Sequence, residues 1–451
     1  MAHILCMSTG TSGILNSSLQ LVARLQALGH RVTYASPRPV GDIIEAEGVE
    51  FLQLPAVTGQ TEPPLPEGIK QLGDFRRFLW KVRRKGIRQA EAVDRLGVGS
   101  FSGMLDDLSP DVVLAHVELH EFIITSVAKK FNVILFCSWF SIWNRPGLPP
   151  IESTIVPGNG FKGSRLGIRL AWARRMMKRW KENQSSAWSS GFTDRRSALR
   201  CYAKSIGFPR RLLQNYNWPP PFTYSELPVL SMTAGELDFP HSVRPNFQYI
   251  GPMVKTRRAE ARVDEGTREK VTRVLEDCRQ NGRRLIHLAA TSMHAGDVSF
   301  LARILQAVGS RPDWVLIGGL GHASTLEELK DIPPNAHVFE MIPQLAVLRQ
   351  AHCSINHGGI NSINECLVFR VPILVYSGGM FDQNGCAARV AYHGIGLRGD
   401  KSDSVEAIVQ RIEEILTDES IARKLQETAS QYEGEEAGKR FSQLMDKLIS
   451  T

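Results

Sequence analysis

The residues best suited to chemistry gather in one stretch, Ser354-Ile-Asn-His-Gly-Gly-Ile-Asn-Ser-Ile-Asn-Glu365, followed by Asp382-Gln383. His357-Gly358-Gly359 ends an apolar run that reads as a strand and opens a helical run near Ile360. Backbone N–H groups and the positive helix end would therefore face whatever lies above the sheet. A diphosphate suits such a place. Gly358 and Gly359 let the backbone approach a ligand closely, while Asn361 and Ser362 add side-chain donors in the first turn. Glu365, one turn further on, can accept from vicinal ribose hydroxyls. Asp382 and Gln383, opening the next helix, offer a carboxylate and an amide to sugar hydroxyls. Each also has a plainer use: Asn361, Ser362 and Asp382 are capping residue types, and Glu365 alone reads as a solvated helix charge.

The elements that must position these groups follow an α/β rhythm. HILCMS, RVTYAS, VEFLQL, DVVLAH and VILFCS read as buried strands, and Leu19, Val22, Leu25 and Leu28 give Asn16 to Leu28 a helical spacing that stops at Gly29. The rhythm fades after about Pro146, and eight prolines between Pro209 and Pro252 suggest a connection. It restarts with RLIHLAA, DWVLIGG, AHVFE, CSINHGG, VPILVY and GIGLRG. Two doubly wound α/β domains in tandem account for this pattern, with ligands expected beyond the carboxyl ends of the strands, in the cleft between lobes. The divisions expected are 1–235, a linker at 236–255, 256–435, and a tail helix at 436–451 packing back on the first domain.

The chain has 451 residues, 43% apolar and 22% charged, which excludes disorder, collagen and disulfide-stapled scaffolds. Single cores stop growing near roughly 250 to 300 residues, in keeping with two domains. The seven cysteines form no C-x-x-C pair, and several sit in apolar runs, pointing to a reducing compartment. With no basic leader at MAHILCMSTG and no long apolar span, a cytoplasmic location is expected.

Four blocks in order, Ile342-Pro-Gln-Leu, Ser354 to Glu365, Val371-Pro-Ile-Leu-Val and Asp382-Gln383, resemble the signature of family 1 glycosyltransferases, the nucleotide-sugar-dependent enzymes of the GT-B fold. The similarity extends over nearly the whole chain. The resemblance implies two Rossmann-like domains facing each other across a cleft, a UDP- or dTDP-sugar in the C-terminal lobe, and a small apolar acceptor such as a natural product in the N-terminal lobe. It also implies inversion at the anomeric carbon and no cofactor or metal. By the same resemblance Ser292, His357, Gly358, Gly359, Asn361 and Ser362 serve the phosphates. Glu365 then serves the ribose, Met341, Ile342 and Gln344 the nucleoside, and Asp382 and Gln383 the sugar.

The chain departs from that pattern where the acceptor is activated. Relatives carry a Gly-His pair after the first strand, and that His is the general base; here the matching residues are Gly13 and Ile14. The Asp that orients it is replaced, counting from Pro110-Asp111, by His116. Three readings follow: His116 is itself the base, the acceptor is acidic enough to need none, or the protein binds a nucleotide sugar without transferring it. His120, Glu118 and Glu121 are weaker candidates for the base. Met341 stands where many relatives have a Trp over the nucleoside base, and Thr291 replaces a glycine of the phosphate loop.

Thr9-Gly-Thr-Ser-Gly13 spaces its glycines as G-x-x-G and RVTYAS ends without an acid, which disfavours a dinucleotide enzyme. A GT-B nucleotide-sugar epimerase shares the architecture and stays an alternative. The net charge of +8 is local: Arg76–Arg88 and Arg165–Lys181 each hold seven Lys or Arg and no acid, with apolar residues interleaved. Nucleic acid is not expected as a partner. These segments (76–88 and 165–181) read either as helices packed on the sheet with a solvated basic face or as peripheral membrane contacts. Trp139 and Trp143, in SWFSIW, are candidates for the acceptor pocket or for core.

Overall fold

Short runs rich in Val, Ile and Leu that are buried on both faces make parallel strands, and the chain contains two sets of them. In the computed structural model, which describes residues 1–57, 59–214, 221–257, 263–289, 298–321 and 323–450, each set forms one sheet. The first comprises β1 (His3–Met7), β2 (Arg31–Ser36), β3 (Glu50–Gln53), β4 (Val112–His116), β5 (Asn132–Cys137), β6 (Val229–Ser231) and β7 (Phe247–Tyr249), in the order β3-β2-β1-β4-β5-β6-β7. The second comprises β8 (Arg284–Ala289), β9 (Trp314–Gly319), β10 (Ala336–Phe339), β11 (Cys353–Asn356), β12 (Ile373–Val375) and β13 (Gly396–Arg398), in the order β10-β9-β8-β11-β12-β13. All neighbouring pairs run parallel. Strand order therefore reverses between β1 and β4 in one sheet and between β8 and β11 in the other, and such reversals open a crevice for ligands.

Helix α1 (Ser12–Ala27) follows β1 and buries Leu15, Leu19, Val22 and Leu25 with Ile4, Cys6 and Tyr34. It starts four residues before the expected Asn16, because its polar first turn carries no apolar period to announce it. Further helices at the cleft and on the surface include α2 (Asp74–Arg83), α3 (Arg165–Ser190), α4 (Gln344–Leu348), α5 (Ile360–Phe369), α6 (Gln383–His393) and α7 (Gly434–Ile449). The region expected as a linker, 236–255, instead carries β7, which hydrogen-bonds to β6 and completes the first sheet. Helix α7 lies on the first lobe: Phe441 and Met445 are buried with Ile4, Leu25 and Met253, and Asn132 donates to the Leu448 carbonyl at 2.9 Å.

A buried polar hub joins the lobes. Arg389 of α6 donates to Asp238 at 2.6 and 2.8 Å, with both side chains only 2% exposed. Asp238 also accepts from the Ser141 N–H at 3.2 Å and from the Tyr249 hydroxyl. Nearby, α6 comes so close to the first lobe that a Cβ on Gly385 would lie 1.9 Å from the Ile151 carbonyl oxygen, so only glycine fits there. The cysteines are all free, and burial pushes the Cys6, Cys137 and Cys366 thiols up to about 12. Among the described residues no helix is long and apolar enough to cross a membrane.

Candidate active site

The turn after β11 is shaped by glycine. Gly358 has φ +83°, and a Cβ there would lie 2.7 Å from Val375 and 3.0 Å from the Gln383 carbonyl oxygen. The Asn356 side chain accepts from the Gly358 N–H at 2.9 Å and holds the turn. Helix α5 then starts at Ile360 with Gly359 as its cap, so no side chain occupies its first N–H groups. His357 sits partly buried beside this turn. Burial holds its imidazole below the usual range, opposed by the backbone carbonyl of Ala289.

A second helix terminus meets the first. Gly13, in the opening turn of α1, lies against α5, where its Cβ position is 3.0 Å from the Asn361 amide nitrogen. The α1 cap residue, Thr11, makes no capping bond and is joined to the Thr9 hydroxyl at 3.1 Å instead. Thus two positive helix ends with open N–H groups, one from each lobe, face one region. Asn364 fastens α5 to the first lobe: its side chain accepts from the Thr233 hydroxyl at 2.7 Å and donates to the Met232 carbonyl at 3.1 Å. It lies within the motif, yet an Asn one turn into a helix carries no signal that its partners are in the other lobe.

Further along, Gln344 at the start of α4 donates its amide to the Glu365 carboxylate, so the groups expected at the nucleoside and ribose touch each other. Ile342 is buried, whereas Met341 is exposed beside it. Ser362 lies in the first turn of α5. Gln383 accepts from the Gly378 and Met380 N–H groups at 3.0 and 3.3 Å, which closes the loop over α6 and leaves its NH2 donors out of those bonds. Phe381, half-exposed, takes φ +45°, a conformation that costs a bulky residue energy and that nothing in the sequence announces. Ser292 and Thr291 lie outside the described residues.

Asp382 is buried, and desolvation lifts its carboxyl from 3.8 to about 6, with the Cys386 thiol donating to it at 3.6 Å. Its folded-state pKa thus lies above the unfolded one, so its ionisation costs stability as pH rises from about 4 through 6. Asp382→Asn should remove that cost, raising stability by roughly 3 kcal/mol at pH 7.5 and by little near pH 4. Urea unfolding at the two pH values checks this; an equal change at both would contradict it.

The acceptor side corrects the expectation for His116. Its ring ends β4 with no exposed surface, packed against Phe136 and Trp139 at 5.5 and 5.9 Å between centroids. Neither ring nitrogen has a hydrogen-bond partner among the described residues, the Glu118 carboxylate being 3.9 Å from Nδ1. Burial depresses its pKa to about 3, far too weak for a base working near neutral pH. Two of the weaker candidates are committed elsewhere: His120 is buried and bonded to the Tyr224 hydroxyl at 2.9 Å, and Glu121 is paired with Arg195 at 2.9 Å. The third, Glu118, is partly exposed beside His116, and burial raises its carboxyl above the usual range against the opposing charge of Arg195. Ile14 packs on the first-lobe core. Trp143, buried, and Trp139, partly buried, line an apolar cavity of about 20 Å³, room for roughly one water and far below the volume of a natural product.

No protein-family model matches the chain. It is similar to the oleandomycin glycosyltransferase of Streptomyces antibioticus, 23% identical over 99% of this chain and 90% of that protein. Among solved structures, the glycotransferase of kitacinnamycin superposes with a TM-score of 0.68 at 20% identity, covering 99% of this chain and 98% of that one. Glycosyltransferase VinC, solved in complex with dTDP, superposes with a TM-score of 0.59 at 14% identity over 99% and 98%. The two facing Rossmann-like lobes are the GT-B fold.

Proposed function

We propose that this chain, GT-B in fold and similar along its length to natural-product glycosyltransferases, moves a sugar from a nucleoside diphosphate sugar on the second lobe to a small apolar acceptor on the first. The observation that carries the reading is the meeting of two open helix N-termini at Gly13 and Asn361. Each supplies about half a positive charge, and between them a diphosphate gains N–H donors and a favourable potential. His357, Asn361, Ser362 and Ser292 then serve the phosphates. Glu365 holds the ribose, Gln344 with Met341 and Ile342 the nucleoside, and Asp382 and Gln383 the sugar.

The reaction is a single displacement. The acceptor atom attacks the anomeric carbon opposite the diphosphate, a new glycosidic bond forms as the sugar–phosphate bond breaks, and configuration inverts. The α5 terminus and His357 take up the charge that grows on the leaving diphosphate, so the reading needs no metal ion. With Ile14 at the usual base position and His116 withdrawn, the acceptor is one that arrives ionised, such as a carboxylate or phenolate. The same positive potential stabilises that anion. Phenolic and carboxylic acceptors should therefore be glycosylated and simple aliphatic alcohols not. His116→Phe should keep turnover within about threefold, whereas removal of a working base costs about 10²- to 10⁴-fold. A hundredfold loss in His116→Phe, or equal transfer to aliphatic alcohols, would contradict the anionic-acceptor reading.

A further inference from the structure

We infer that α2 and α3 form a docking surface for an anionic membrane. Ten of the seventeen large apolar side chains exposed among the described residues lie on or beside these helices. In α3, at about 100° per residue, exposed Leu166, Leu170, Met177 and Trp180 fall within an arc of roughly 80°. Buried Ile168 and Trp172 lie on the opposite side, so the exposed stripe is not the face by which the helix is held. Arg165 and Arg169 flank it on one edge, Arg174 and Lys181 on the other. Helix α2 repeats the device with exposed Phe75, Leu79 and Val82 at i, i+4, i+7, beside Arg76 and Arg83.

The helices are fixed to each other. Phe78 stacks on Trp188 with centroids 5.0 Å apart, and the Lys81 ammonium donates to the Ser189 carbonyl. Arg77, Lys81, Arg175 and Arg179 have carboxylate partners, but among the described residues Arg76, Arg165, Arg169, Arg174 and Lys181 have none within 4.0 Å. Apolar stripes bordered by uncompensated cations fit an interface of acyl chains and anionic headgroups. A second copy would bring like charges together. With seven cations along its 26 residues, α3 lies in the membrane plane rather than across it. None of the stripe residues belongs to the donor site described above.

Flotation with vesicles of phosphatidylcholine alone, or with about one-third phosphatidylglycerol, tests it. Wild-type protein should partition to anionic vesicles at least roughly tenfold more than to neutral ones at low salt, and lose most of that advantage at about 0.5 M salt. Leu170→Asp with Trp180→Asp, and separately Arg169→Glu with Arg174→Glu, should each reduce binding roughly tenfold with unchanged thermal midpoints. Ile332→Asp, at an exposed apolar side chain on the other lobe, should bind as wild type. Failure of the wild type to float, or equal binding to both vesicles at low salt, would overturn the proposal. So would a dimer in sedimentation that the Leu170/Trp180 variant dissociates, which would assign the face to a second copy.

Discussion

Arg389→Ala should destabilise the folded chain by about 3 to 5 kcal/mol, the largest stability effect expected of a single substitution at the lobe interface. The guanidinium is buried between the Phe140 and Phe239 rings, 4.6 and 4.4 Å from their centroids, and donates to Asp238 and to the Gly385 carbonyl at 3.0 Å. Truncation leaves the Asp238 carboxylate buried without a cation, although Ser141 and Tyr249 still donate to it. It also empties the slot between two rings. Burial and the adjoining carboxylate hold the Tyr249 phenol well above its ordinary value, so it stays a donor and cannot take the cation's place. Because Arg389 and Asp238 sit in different lobes, the loss should appear as the lobes unfolding in separate steps in urea. A change below about 1 kcal/mol would show that the hub does not hold the lobes together.

Gly358→Ala should weaken nucleoside diphosphate binding by ten- to a hundredfold while leaving the first lobe folded. The left-handed backbone there costs an alanine about 1 kcal/mol or more, and its methyl would press on Val375 and on the Gln383 carbonyl. The turn must shift, and with it the first N–H groups of α5 and the loop that presents Gln383. An interaction that depends on several converging N–H groups loses more than one bond when the turn moves.

The second lobe was legible in the sequence strand by strand, because its buried runs are separated by helices with clear apolar periods. The motif around His357 is local, so a strand, a turn and a helix end placed it directly. The last two strands of the first sheet were not legible: β6 and β7 stand among prolines, outside the strand–helix alternation that placed the equally short β12 and β13. Groups brought together from afar escaped as well. Asn364 and Thr233 are 131 residues apart and Arg389 and Asp238 151 apart, and nothing at either position names its partner. His116 misled for a different reason: position in a strand indicates the end of a sheet, but burial decides basicity, and burial comes from packing of Phe136 and Trp139.

A nucleoside diphosphate should seat at the start of α5, opposite the start of α1. Calorimetric titration of UDP and dTDP into wild type, His357→Ala and Gly358→Ala tests it most directly. The expected result is one site per chain for at least one of the two nucleotides, weakened at least roughly tenfold by either substitution. Absence of binding by both nucleotides, or affinity indifferent to both substitutions, would contradict it.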